Sequence, residues 1–125
     1  MKAITTIEEL MQELESHKYN YYGLRGSSAE ELEKVNDGYL KECSSVWEDG
    51  TPTDEKLNGT CAVGVFDELP KSEIMSRYNT AKNRYSVDGT VLLIADSEQE
   101  YGNDENETIL GHDGYGADVV AVVKL

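Results

Sequence analysis

The chain has 125 residues, with 25 acidic against 11 basic side chains, a net charge of −14 and a pI near 4.4. That length is one domain, residues 1–125, able to bury roughly two-thirds of the surface its unfolded form exposes. A surface this negative repels nucleic-acid phosphates and anionic membranes, which excludes direct nucleic-acid binding and a membrane-surface role; it suits a basic partner, or simply keeps a small protein soluble.

The hydrophobic fraction of 38% falls in periodic segments, the mark of a folded globule. No apolar run approaches the roughly 20 residues of a membrane span. Met1 to Thr6 leads into a helix pattern without the apolar core of a signal peptide, so a cytoplasmic location is expected. Cys43 and Cys61 are then expected to be reduced, and neither they nor His17 and His112 have the spacing of a zinc site.

In chain order, Thr6 and Glu9 have capping-box spacing, and Ile7, Leu10, Met11 and Leu14 fall on one helical face. The pattern predicts a helix ending near Ser16 to Lys18. "YNYYGLR" then reads as a short aromatic strand broken by Gly26. Ser27 or Ser28 should cap a second helix with Leu32 and Val35 inward, stopped by Asn36-Asp37-Gly38. Residues 39–59 are turn-rich around Trp47, with a helical turn expected over Thr53 to Leu57. "TCAVGVF" predicts a strand, and Pro70 opens a third helix striped by Ile74, Met75, Tyr78, Ala81 and Tyr85. "GTVLLIAD" predicts a buried strand, "SEQEYGNDENE" an acidic loop, "TIL" a strand and "GADVVAVVKL" a last one. Three helices and strands concentrated toward the C-terminus predict an α+β domain with a mixed or antiparallel sheet.

Two features carry possible chemistry. Arg25, one of only three arginines against eight lysines, stands at the expected strand end between Leu24 and Gly26. Its planar fork matches phosphate or carboxylate oxygens bidentately and stays charged. In "GNDENETILG", extended backbone over 105–110 places Glu105 and Glu107 on one face, about 6.5–7 Å apart. Such carboxylates can act on two atoms of one substrate, one stabilising positive charge at a sugar carbon and the other orienting a nucleophile. The alternative is a strand edge carrying solubilising charge.

Taken in order, "YYGLRG", the paired Ser44 and Ser45 of "YLKECSSVW", and the Glu-x-Glu of "DENETIL" resemble the arginine–serine–glutamate class of ADP-ribosyltransferases. The resemblance spans about residues 19–125. It implies that family's fold and the use of NAD. Arg25, with Gly26 beside it, would hold the NAD pyrophosphate, and Ser44 and Ser45 would shape the nicotinamide pocket. Glu107 would be catalytic, and Glu105 would position a protein acceptor. The chain departs from the family in reading Cys-Ser-Ser-Val for Ser-Thr-Ser and in setting Leu24 directly before the arginine.

A different function class follows from charge alone. A small acidic protein with no histidine or cysteine chemistry fits a non-enzymatic inhibitor that occupies a basic nucleic-acid-binding surface, as phage anti-restriction and anti-CRISPR proteins do. Other candidates are slighter. Residues 96–107 have acids at the ends of a twelve-residue span, but Tyr101 stands where a calcium loop needs glycine. "GHDGYG" reads as a tight turn, with His112 exposed on it. Cys61 reads as core, and the eight tyrosines divide between core and a possible contact surface.

Overall fold

The computed structural model describes residues 2–33, 44–46, 52–56, 60–84, 86, 88–97, 99–102, 108–110 and 117–125. In chain order these give β1 (Lys2–Ile4), α1 (Ile7–Glu15), β2 (Tyr21–Ser27), α2 (Ala29–Glu33), β3 (Ser44–Val46) and β4 (Pro52–Lys56). There follow β5 (Thr60–Val65), α3 (Lys71–Arg84), β6 (Thr90–Asp96), β7 (Gln99–Gly102), β8 (Thr108–Leu110) and β9 (Asp118–Val123). Seven strands form one sheet in the order β1-β9-β6-β2-β5-β8-β7, and β3 and β4 form a separate two-stranded ribbon. Every adjacent pair in the large sheet is antiparallel except β1 with β9, which run parallel. The architecture is α+β with a mixed sheet.

The sheet is apolar on both faces, which explains the unbroken run Val91 to Ala95 in β6. One face carries Tyr22, Leu24, Val63, Val65, Val91 and Leu93, packed against Leu10 and Leu14 of α1 and Ile74, Tyr78 and Ala81 of α3. On the other, Ala62, Leu92, Ile94, Leu110, Ala117 and Val119 cluster, with Leu32 of α2 against them. Alternate residues of one strand therefore serve two cores.

Local signals set the helices. At the start of α1, the Glu9 backbone N–H donates to Thr6 Oγ1 at 3.2 Å. The hydroxyls of Thr5 and Thr6 in turn donate to Glu9 Oε1, a cap of the kind that contributes about 1 kcal/mol. Glu13 is buried on α1, where its carboxylate accepts from the Ser16 hydroxyl at 3.0 Å and lies 3.5 Å from Lys2 Nζ.

Ser28, offered with Ser27 by the sequence as the cap of α2, directly precedes that helix and its carbonyl accepts from the Leu32 N–H at 3.1 Å, while Asp88 serves the same helix end from a distance in sequence. Its Oδ1 accepts from the Thr90 N–H at 3.1 Å and its Oδ2 from the Ala29 N–H at 2.8 Å. Hydrogen bonding from Thr90, then from Ala29, holds its carboxyl below the usual value of 3.8. A group with a lowered folded pKa stabilises above its unfolded pKa, and that stabilisation is lost as pH falls through the folded value. Asp88→Ala is therefore expected to lower the urea midpoint at neutral pH, with the gap from the parent closing in acid below that value. A gap constant across this range would show that the carboxylate charge is not what holds α2.

Several elements differ from the sequence reading. Gly26 does not end β2: it pairs with Val91, and Ser27 pairs with Thr90. Arg25 is thus interior to the strand. Residues 52–56 form a strand where a helical turn was expected, because β3 supplies a pairing partner. Part of the expected acidic loop is β7, paired with β8, and Lys2–Ile4 pairs with β9 before the first helix begins. Val35, Asn36, Asp37, Gly38, Trp47, Tyr85 and His112 lie outside the described residues.

Candidate functional site

Arg25 stands on β2, the central strand, directly opposite Leu92 of β6. Leu24 points into the helix-covered core, so alternation turns Arg25 to the opposite face, where it is half-buried beside the Leu92 and Ile94 cluster. A guanidinium there is held among rigid strands, and it makes an interaction within the protein. Gly26 follows it, buried, in the same strand.

On the other side of β2 lies β5, and next to that β8. Leu24 pairs with Val63, and the preceding Ala62 pairs with Thr108. Thr108, buried at the start of β8, is thus two strand spacings from the Arg25 region of β2, about 10 Å. Glu107 is bonded to Thr108, but Glu105 and Glu107 lie outside the described residues. Thr108 Cγ2 is 3.7 Å from where a Cβ on Gly64 would be, on the face that carries Ala62 and Arg25.

Ser44 and Ser45 occupy β3, where Ser44 pairs with Lys56 of β4. Among the described residues, that ribbon shares no strand pairing with the sheet that holds Arg25. Cys61 is in β5, paired with Ile109. Asp96 closes β6, while residues 103–107 of the calcium-like span lie outside the described residues. Among the described residues no three His, Cys, Asp or Glu side chains gather to hold a metal ion.

A second place was not apparent from sequence. Where α1 turns into β2, a cavity of about 130 Å³ opens between His17, Tyr19, Tyr21, Phe66 and Asp67, over Leu14 and Val65. Among the described residues, the large hydrophobic side chains left exposed are Tyr21, at 40%, and Phe66, at 47%, and both line this notch. The His17 Nε2–H donates to Asp67 Oδ2 at 2.9 Å. His17 has φ of +52°, just past the Ser16 cap of α1. Glycine usually takes that conformation, and an L-residue there is disfavoured by about 1–2 kcal/mol. The Arg77 guanidinium stands over the Phe66 ring, 5.7 Å from its centroid. The Tyr19 hydroxyl donates to Asp118 Oδ2 at 3.0 Å; burial, then this bond, raises its pKa. The available sequence signal is a helix that ends in Ser-His rather than glycine, which gives no hint of Phe66 and Asp67.

No protein-family model matches the chain, and neither a curated protein nor a solved structure matches it.

Proposed function

We propose that the protein is an ADP-ribosyltransferase-like domain that binds NAD and transfers ADP-ribose to a protein acceptor. The observation that supports this reading is the position of Arg25 on the central strand, two strands from the β8 that begins directly after Glu107. Under it, the Arg25 fork holds the pyrophosphate, Gly26 lets the backbone approach, and Ser44 and Ser45 orient the nicotinamide. The bond between the ribose carbon and the nicotinamide nitrogen breaks, and its electron pair leaves with nicotinamide. Glu107 stabilises the resulting oxocarbenium-like ribose by its fixed charge. Glu105 takes the proton from the acceptor as the new bond forms.

The test is NAD-dependent thermal stability of the parent and Arg25→Lys. Ligand at a hundredfold excess over its Kd stabilises by about 2.7 kcal/mol, which reads as several degrees in Tm. The parent is expected to show that rise. Arg25→Lys is expected to lose it while its unliganded Tm stays nearly unchanged, because a point charge does not replace a bidentate fork. No NAD-induced rise in the parent would overturn the reading.

A second reading, an acidic non-enzymatic protein that occupies a basic surface, is favoured by the net charge of −14 together with the exposed aromatic pair beside Asp67.

A further inference from the structure

We propose that the notch between α1, β2 and the β5–α3 connection is the docking point for an arginine side chain of a basic protein partner. The proposal rests on the second reading and gives it a place and a chemistry.

Two observations converge. Tyr21 and Phe66 come from different segments, yet their exposed rings border one cavity. Isolated exposed aromatics are ordinary; a convergent pair beside a carboxylate is the composition of a contact hot spot. The volume, about 130 Å³, is about four times the share of one liquid water, enough for a four-atom guanidinium head.

Charge selects the occupant. Asp67 engages His17 through Oδ2, and a carboxylate has about four lone-pair sites, so it can also accept an incoming N–H. Glu68 follows it in sequence, Asp96 pairs with Tyr21 across the sheet, and Asp118 lies under Tyr19. Lys18 follows His17 in sequence, and Arg77, at the Phe66 ring, is committed to Glu73 and the Gly64 carbonyl. A planar cation can stack on an aromatic face while its N–H groups reach the carboxylate, which an ammonium does less well. The Arg77 guanidinium, 5.7 Å from the Phe66 ring centroid, is the same kind of contact made within the molecule. His17, in a backbone conformation that favours glycine, sets an imidazole as one wall of the notch.

The test is an amide NMR titration of the full chain with a peptide of alternating glycine and arginine, against the same peptide carrying citrulline, a neutral isostere. The arginine peptide is expected to shift amides of residues 17–22 and 65–68, and the citrulline peptide to leave them unmoved. Asp67→Asn, and separately Tyr21→Ala with Phe66→Ala, are each expected to weaken binding about tenfold. Phe66→Leu keeps apolar volume without the ring, and carries the comparison if the double variant unfolds. Shifts spread over other acidic surface, or variants that bind as well as the parent, would overturn the notch while leaving an acidic binding protein. No binding by the parent at low salt would overturn both.

Discussion

Glu107→Gln is expected to lower nicotinamide release from NAD by about a hundredfold or more while NAD still raises the melting temperature. Glutamine keeps the size and hydrogen bonding of the side chain but removes the charge that a ribosyl cation requires. Glu105→Gln is expected to act differently, impairing transfer to the acceptor and leaving NAD hydrolysis. Rates of nicotinamide release and of acceptor labelling, measured together, separate the two. Equal effects of the two variants on both rates would remove the assigned roles. Unchanged turnover in Glu107→Gln would remove the catalytic reading.

The largest expected effect on stability is at Gly23. A Cβ there would sit 2.6 Å from the Ala62 Cβ and 3.4 Å from Leu110 Cδ1. Ala62 has no side-chain torsion with which to retreat, so β2 and β5 themselves would have to separate. Gly23→Ala is expected to destabilise by about 1–3 kcal/mol, the range for overpacking a close-packed interior. Gly64 is the matched control, because its added Cβ would meet Thr108 Cγ2 at an ordinary 3.7 Å. Gly64→Ala is expected to change stability by no more than about 0.5 kcal/mol. Urea midpoints with unchanged m-values make the comparison; equal losses at both glycines would mean that the Ala62 contact does not set the spacing of β2 and β5. Because Gly23 and Arg25 share a face of β2, Gly23→Ala should also disturb the arginine.

What was legible in the sequence follows how each element is stabilised. The first helix announces itself through Thr6, Glu9 and a clean apolar stripe, and β6 through five consecutive apolar residues that two cores require. Three elements left little trace. Strand β7 reads Gln-Glu-Tyr-Gly and β4 reads Pro-Thr-Asp-Glu-Lys, sequences without an apolar alternation whose backbones find a pairing partner. Strand β1 is three residues long, and its partner β9 lies at the far end of the chain. At the proposed site, Arg25 was visible as a scarce residue type in an aromatic strand, whereas its interior position was hidden by reading Gly26 as a breaker. The notch was illegible for another reason. It joins residues 17, 21, 66 and 67 across separate segments, and it depends on a backbone conformation at His17 that no periodicity encodes.

The parallel pairing of β1 with β9 has a mechanical consequence. Lys2 lies opposite Ala121 and Ile4 opposite Val123, and the Lys124 N–H donates to the Ile4 carbonyl at 2.9 Å. A pull on the chain before Lys2 and after Lys124 draws these neighbours past each other along their common axis. The load falls on all the rungs together, in shear, and not on one rung after another as in peeling. A strand of only three residues is therefore also the clamp that tension applied across these two ends must break first.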